Sequence, residues 1–439
     1  MKKLLCLGLA VLLLLTGCGV GGEKTTEPTQ PPFEATAPTL PALKEGGSPE
    51  EILQARRDLV EQVMRDMCTI RWTPAETIEY SLFNQSQGLE SDKVTNPEDI
   101  VTLYKGTIYE GIPYTHGSNS IYAFLEYATA ESETGTLTLS NLETADFSGY
   151  GYQEPYRCAR LGTDCADQVF WAWNHISGSI SFTRCREMTP TYGCIPVGDY
   201  VLTDSILPYT FPILEANGMD VMYESYAKML KGDALSFMNS KSGGHTIMNV
   251  EVHVVRNEDG TINGQESYAI TLEQESGDER TQADRYVDEA TGETIVRLQG
   301  IDRKYTFQYL YQKGYLPFTC KELIDPAPLT PVEVTDSIEN PSIDNIFKGT
   351  FTGTRRISYV TIDITDANTG KVVQSCTTHC LSKELYTFEL IRFISDVEKL
   401  VQIGEIDLDA LESGAYIVTH TATLATGEEM VVRNFPYEK

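Results

Sequence analysis

Leu161-Gly-Thr-Asp-Cys-Ala-Asp-Gln-Val-Phe-Trp-Ala-Trp173 joins a polar turn to an amphipathic run, and its reading decides the fold. A helix that begins near Cys165 sets Val169, Trp173 and Ile176 on one apolar stripe, with Phe170 beside it. Cys165 then lies in the first turn. Unpaired backbone N–H groups and the helix dipole favour a thiolate there, and such a placement lowers a thiol below its free value of about 8.5. The thiolate is the reactive form, so Cys165 is the first candidate nucleophile.

Upstream, Ser48-Pro49-Glu50-Glu51 reads as an N-cap, a first-turn proline and two acids at the positive end of a helix dipole. Ile52, Leu59, Val63 and Met64 then recur at helical spacing as far as Cys68. Asn96-Pro97-Glu98-Asp99 predicts a short helix carrying Ile100, Leu103 and Tyr104, and Gly111-Ile-Pro-Tyr114-Thr-His-Gly117 is a turn-rich connector.

Downstream of the Cys165 helix the hydrophobic period becomes two. Val197–Leu202, Ala234–Phe237, His245–Val255 and Tyr268–Glu273 read as strands, with Asn257-Glu258-Asp259-Gly260 as a hairpin turn. Helices first and an antiparallel sheet afterwards make this part α+β. His245 heads its strand after Gly243-Gly244, a position exposed at a sheet edge and suited to a general base and acid. The next strand brings Glu273 or Gln274 beside the imidazole. Either can hold its tautomer, and Glu273 also stabilises the imidazolium.

Pro326, Pro328 and Pro331 mark a boundary. Beyond it only strands and turns follow: Tyr359–Ile364, a turn at Asp366–Gly370, Val372–Thr377, Tyr386–Phe388 and Ala415–Ala422. About a hundred such residues suit one small immunoglobulin-like β-sandwich.

Met1-Lys2-Lys3 followed by the apolar run Leu4–Leu15 has the length of a signal h-region rather than of a spanning helix. It ends in Leu15-Thr16-Gly17-Cys18, which resembles the bacterial lipobox. That resemblance implies that Cys18 is acylated, palmitate among the chains, and anchors the protein to the extracytoplasmic face of the cell membrane. The proline- and threonine-rich residues 19–48 cannot bury enough apolar surface to fold and read as a disordered tether. The expected organisation is a lipoprotein signal peptide over 1–18, the tether over 19–48, a mixed domain over 49–328 and the β-sandwich over 329–439.

The chain of 439 residues carries a formal net charge of −29, so nothing offsets phosphate repulsion and nucleic acid is excluded as a partner. Apart from Cys6 in the leader and Cys18, eight cysteines remain, with Cys185 and Cys194 the most local candidates for a disulfide. Cys376-Thr-Thr-His-Cys380 offers three metal ligands with no second cluster, so a disulfide or two unpaired thiols suits it better than zinc.

Asp164-Cys165 before an aromatic helix, Lys231-Gly-Asp233 entering an apolar strand, Gly-Gly-His245 and a following strand with a polar residue resemble the NlpC-type cysteine peptidases of the papain-like superfamily. Gly111-Ile-Pro-Tyr114-Thr-His-Gly117 looks like that family's Gly-x-Pro-Tyr-x-x-Gly element, and the match runs over about residues 105–275. The resemblance implies a papain-like α+β domain, Cys165, His245 and Glu273 as the catalytic set with Gln274 as fallback, and Tyr114 and Asp164 as substrate contacts. It implies cleavage of amide bonds in the stem peptides of peptidoglycan, so that the partners are a cell-wall peptide or protein substrate and the lipid bilayer, with no metal and no organic cofactor. Ala166-Asp167 stands where the family usually has Ser-Gly, and His245 follows Cys165 at a longer interval than usual, which implies an insertion near 177–220.

Two other readings share these features. A transglutaminase-like hydrolase also uses a cysteine at a helix start and a strand histidine, with an Asp as third member; pairing of His245 with Asp259 would identify it. A non-catalytic lipoprotein would keep the papain-like unit as a scaffold and bind a glycan or protein through the sandwich.

Overall fold

The computed structural model describes residues 35–439 apart from 45, 82–99, 115–118, 141–143, 147–156, 160–161, 183, 203–208, 240–242, 275–283, 380–384 and 396–401. The expected signal peptide, Cys18, Cys380 and the second half of the Gly111–Gly117 element lie outside the described residues.

The first helix runs over Pro49–Thr69. Ser48 closes it with a capping box: its Oγ accepts from the Glu51 N–H at 3.3 Å, and the Glu51 carboxylate accepts from the Ser48 N–H at 3.0 Å. Its face of Leu59, Val60, Val63, Met64, Met67 and Cys68 is buried. That helix packs against the helix Cys165–Asn174, all ten of whose residues are buried. A helix this short owes its stability to such packing rather than to propensity.

The Cys165 helix lies against a six-stranded sheet whose order is Gln299–Thr306, Tyr268–Gln274, Gly243–His253, Ala234–Asn239, Leu316–Cys320 and Cys194–Pro196. Every pairing in it is antiparallel. The Lys231-Gly232-Asp233 turn locks the sheet to both helices. Arg57 donates to Asp233 at 2.9 Å with both side chains almost fully buried, and the Trp173 indole N–H donates to the Gly232 carbonyl at 2.8 Å. Gly232 has φ +83°, a conformation that suits glycine.

A second sheet mixes parallel and antiparallel pairs in the order Arg285–Val287, Thr294–Arg297, Ile108–Glu110, Arg71–Pro74, Leu137–Leu139 and Ala128–Glu131. Its short strands carry no strong alternation, and the sequence pattern does not announce them. Ile100–Leu103, expected in a helix, is a strand paired with Ile78–Ser81; its β-branched Ile-Val-Thr run favours that outcome. Val197–Leu202, expected to be a strand, is not one; the strand Cys194–Pro196 stops before it, and Gly198 turns the chain away at φ +95° against Ser225.

The C-terminal residues form a five-stranded antiparallel sheet, in the order Gln402–Gly404, Val372–His379, Ile357–Asp366, Ala415–Leu424 and Glu429–Glu438, and a three-stranded sheet of Val334–Asp336, Thr350–Gly353 and Thr387–Glu389. They enclose a core of their own around Phe351, Ile362, Phe388 and Val418. The chain is thus α+β, with antiparallel sheets and a sandwich-like C-terminal part. Within the Cys376–His379 segment, Cys376 faces this core while the His379 ring meets the Tyr127 hydroxyl at 3.2 Å. The two side chains point to opposite faces of one strand, which does not suit a common metal ion.

The two cores belong to one compact unit, residues 34–439. Tyr359 donates to Glu126 at 2.9 Å, Ser120 and Ser358 share a hydroxyl contact, and the Arg356 N–H donates to Asn174 Oδ1 at 2.7 Å. Ala35 and Leu40, in the stretch expected to be a tether, pack on the larger core.

Candidate active site

Asp164 is the N-cap of the Cys165 helix. Its Oδ1 accepts the N–H groups of Ala166 at 2.9 Å and Asp167 at 2.8 Å. These bonds fix where the helix starts, so Asp164, expected as a substrate contact, positions the thiol. Burial, and next the Asp167 charge, push its carboxyl well above the ordinary range. Cys165 sits behind it, 4 % exposed. The backbone N–H of Thr246, the residue after His245, is turned toward its sulfur and favours the thiolate there. The helix tip and the head of the histidine strand therefore meet.

His245 and Glu273 come together through sheet register. Ile247 pairs with Glu273, so His245, two residues earlier on the same face, is the diagonal neighbour of Glu273. His245 Nε2 lies 2.9 Å from Glu273 Oε2. Tyr305, on the next strand, donates to Glu273 Oε1 at 2.7 Å. Burial raises the Glu273 carboxyl, but the hydrogen bond from His245, its charge and the Tyr305 hydroxyl outweigh it and hold the group below its usual value. Glu273 thus receives the Nε2 proton and leaves Nδ1 as the basic nitrogen of the neutral ring. Gly300 pairs with Glu273, and a Cβ there would stand 2.4 Å from its Cγ; the missing side chain is the room the carboxylate occupies.

Gln274 is placed elsewhere. Its amide donates to the carbonyls of Ile112 and Thr163 at 2.9 and 3.1 Å, tying the sheet to the Gly111–Tyr114 segment. Tyr114 bridges to Thr163 there, and burial, then the charges of Cys165, Asp164 and Cys185, push its hydroxyl up. The structure therefore brings Cys165, His245, Glu273, Asp164 and Tyr114 into one neighbourhood. Asp259 caps its own hairpin through Thr261 at 3.0 Å, and His245 pairs with Glu273, so the arrangement a transglutaminase-like site needs is not formed.

The sequence reading missed a second thiol. Cys185, on the 3-10 turn Cys185–Glu187, puts its sulfur 3.6 Å from that of Cys165. It does not face Cys194, which is buried opposite Cys320 on neighbouring strands; these thiols are free, as are Cys68 and Cys376. Ser236 holds the turn by donating to the Cys185 carbonyl at 3.1 Å, and a Cβ on Gly244 would stand 2.8 Å from the Cys185 Cβ. The glycine pair before His245 was the available signal: Gly244 leaves room for another element on the strand.

The pair changes the ionisation expected from helix position alone. The hydrogen bond with Cys185 pushes the Cys165 thiol well up, and burial and Asp164 add to it. Cys185 is pulled down to about 7 by the S–H of Cys165, and by the Thr246 hydroxyl and His245 charge, against burial. Of the two thiols, Cys185 is the one favoured to ionise.

Among the described residues, no group of three or more His, Cys, Asp or Glu side chains is arranged to hold a metal ion, and no helix is long and apolar enough to cross a membrane. No family model and no curated protein matches this chain. A solved structure, a tetra-tandem repeat in the extending region of a large adhesion protein, is similar over 47 % of this chain and 41 % of that one, at 14 % identity and a TM-score of 0.17. A likeness at that score carries no argument about fold or function.

Proposed function

We propose that the chain is a cysteine hydrolase of amide bonds, with Cys165 as nucleophile, His245 as general base and acid and Glu273 as the group that orients and charges the imidazole. The observation that carries this reading is the relay from Tyr305 through Glu273 to His245, with the Cys165 sulfur at the backbone of the next residue. In the reaction His245 accepts the thiol proton, and the sulfur attacks the carbonyl carbon. The imidazolium returns the proton to the leaving amine, and water releases the acyl group by the same path in reverse roles. The Cys165 N–H, which Asp164 does not take, supplies an oxyanion donor; one such donor is worth about 3 kcal/mol in measured enzymes. A papain-like, NlpC-type domain and stem peptides of peptidoglycan as substrate belong to the same proposal and rest on the sequence motifs. So does anchoring to the extracytoplasmic face of the membrane through acylated Cys18.

A second reading is favoured by one observation. Cys165 is 4 % exposed and faces Cys185, as a thiol in a non-catalytic scaffold would. Digestion of purified sacculi separates the two. The hydrolase releases soluble muropeptides that mass spectrometry identifies, and Cys165→Ala abolishes the release. A Cys165→Ala chain that digests as fast as the parent overturns the proposal, and a parent chain that releases nothing leaves the scaffold.

A further inference from the structure

We propose that Cys165 and Cys185 form an oxidisable dithiol, closed to a disulfide by a peroxide and reopened by a dithiol reductant. Three features support it. The sulfurs are 3.6 Å apart, so closure to the roughly 2.05 Å of a disulfide takes about 1.5 Å of movement. The two side chains come from different elements: a helix tip fixed by Asp164, and a short 3-10 turn that Ser236 holds through the Cys185 main-chain carbonyl. Their exposures also differ, since Cys185 is partly open while Cys165 is buried behind it. An oxidant therefore meets Cys185 first.

The chemistry balances in two steps. The Cys185 thiolate attacks one oxygen of hydrogen peroxide and becomes a sulfenic acid, and hydroxide leaves. The Cys165 thiol gives up its proton and attacks the Cys185 sulfur, expelling the oxygen as a second hydroxide. Two thiols and one peroxide give one disulfide and two waters. The lowered Cys185 thiol and the raised Cys165 thiol suit these roles in that order. Most partly exposed thiolates proceed to sulfinic acid when oxidant is in excess, and a second sulfur at contact distance intercepts the sulfenic stage. Cross-linking also takes the proposed nucleophile out of use. That last consequence, and only that one, rests on the hydrolase reading.

The test is mass mapping of the full chain after graded hydrogen peroxide and alkylation of the remaining thiols. The expected product is a peptide pair joining Cys165 to Cys185, two hydrogens lighter, that dithiothreitol separates. In Cys165→Ser the Cys185 sulfenic acid persists, and dimedone captures it about tenfold more than in the parent chain. The proposal is overturned if the parent chain carries Cys185 to sulfinic acid without the cross-link, if Cys185 links to Cys194 instead, or if both thiols stay fully alkylatable. These readouts need no hydrolysis. Where sacculus digestion is active in the reduced chain, it falls in step with the cross-linked fraction and returns with reductant. A reduced chain that digests nothing removes the hydrolase and leaves the dithiol to be judged by mass alone.

Discussion

Glu273→Gln isolates the charge behind the imidazole with almost no change in shape. In the native site Glu273 is 1 % exposed and its Oε2 stands 2.9 Å from His245 Nε2. Solvent therefore screens the pair weakly. With an effective dielectric of about 20 and roughly 4 Å between charge centres, the attraction on imidazolium is about 4 kcal/mol. Glutamine keeps its one carbonyl oxygen for the Nε2 proton and turns its amide NH2 toward the Tyr305 hydroxyl, so part of this is retained as a neutral hydrogen bond. Replacing a charge-assisted bond by a neutral one costs about 1.5 kcal/mol here, and loss of tautomer control adds more. The expected fall in kcat/KM for muropeptide release is roughly ten- to a hundredfold. A Glu273→Gln chain with the parental hydrolysis rate refutes the relay, because no role for the carboxylate would then be left.

Four other outcomes follow from the packing. Arg57→Ala leaves the Asp233 carboxylate buried, 2 % exposed, and removes bonds to the carbonyls of Lys231 and Leu323, so urea unfolding of the larger core moves to lower concentration by an equivalent of about 3–5 kcal/mol. A double change to Arg57→Met and Asp233→Leu recovers most of that loss. Gly300→Ala drives a methyl to 2.4 Å from Glu273 Cγ, and the displaced carboxylate lowers muropeptide release about tenfold at a stability cost of roughly 1–3 kcal/mol, read from the same digestion and from thermal melting. His175 and His420 are both held neutral by burial, down to about 4, so from the unfolded value of 6.5 down to that point the unfolded chain takes up protons that the fold refuses; stability falls through this window by up to about 3 kcal/mol per histidine, and His420→Asn flattens the fall in melting temperature.

Where sequence carried a strong local signal, the fold was legible. Ser48-Pro49-Glu50-Glu51 contains its own cap chemistry, and the alternation at Tyr268–Glu273 fixes which face Glu273 takes; both elements lie where those patterns put them. The pairing of His245 with Glu273 was legible to the same extent, because a register of alternating residues delivers both to one face without further information. What stayed hidden depends on contacts between distant segments. Cys185 rides a three-residue turn with no periodicity, and sequence distance pointed to Cys194 rather than to a helix twenty positions upstream. Tyr305 lies on a strand expected from no pattern, in register with Tyr268–Gln274 through a bulge. The ionisation of Cys165 was misjudged for a similar reason. A helix N-terminus favours thiolate by a modest amount, and burial, a carboxylate next door and a second sulfur together exceed it.

The same long-range logic binds the C-terminal sheets to the thiol helix, and it argues against treating them as a detachable binding module. Arg356 is 1 % exposed, yet it belongs to the strand entry of the five-stranded sheet. Its guanidinium lies over the rings of Trp171 at 4.6 Å and Phe170 at 5.5 Å, and one nitrogen stands 3.9 Å from Asp167. Its main chain is held at both ends, by Asn174 Oδ1 and by the Ala425 N–H. A desolvated cation over a tryptophan face is worth about 2 kcal/mol, and here the same cation offsets Asp167, whose charge otherwise bears on Asp164 at the helix cap. The cap fixes Cys165, so the sandwich reaches the candidate nucleophile through two side chains. A domain whose only task was to capture a glycan or a protein would not need to bury an arginine in its neighbour's central helix. The arrangement makes the C-terminal sheets part of what positions the thiol.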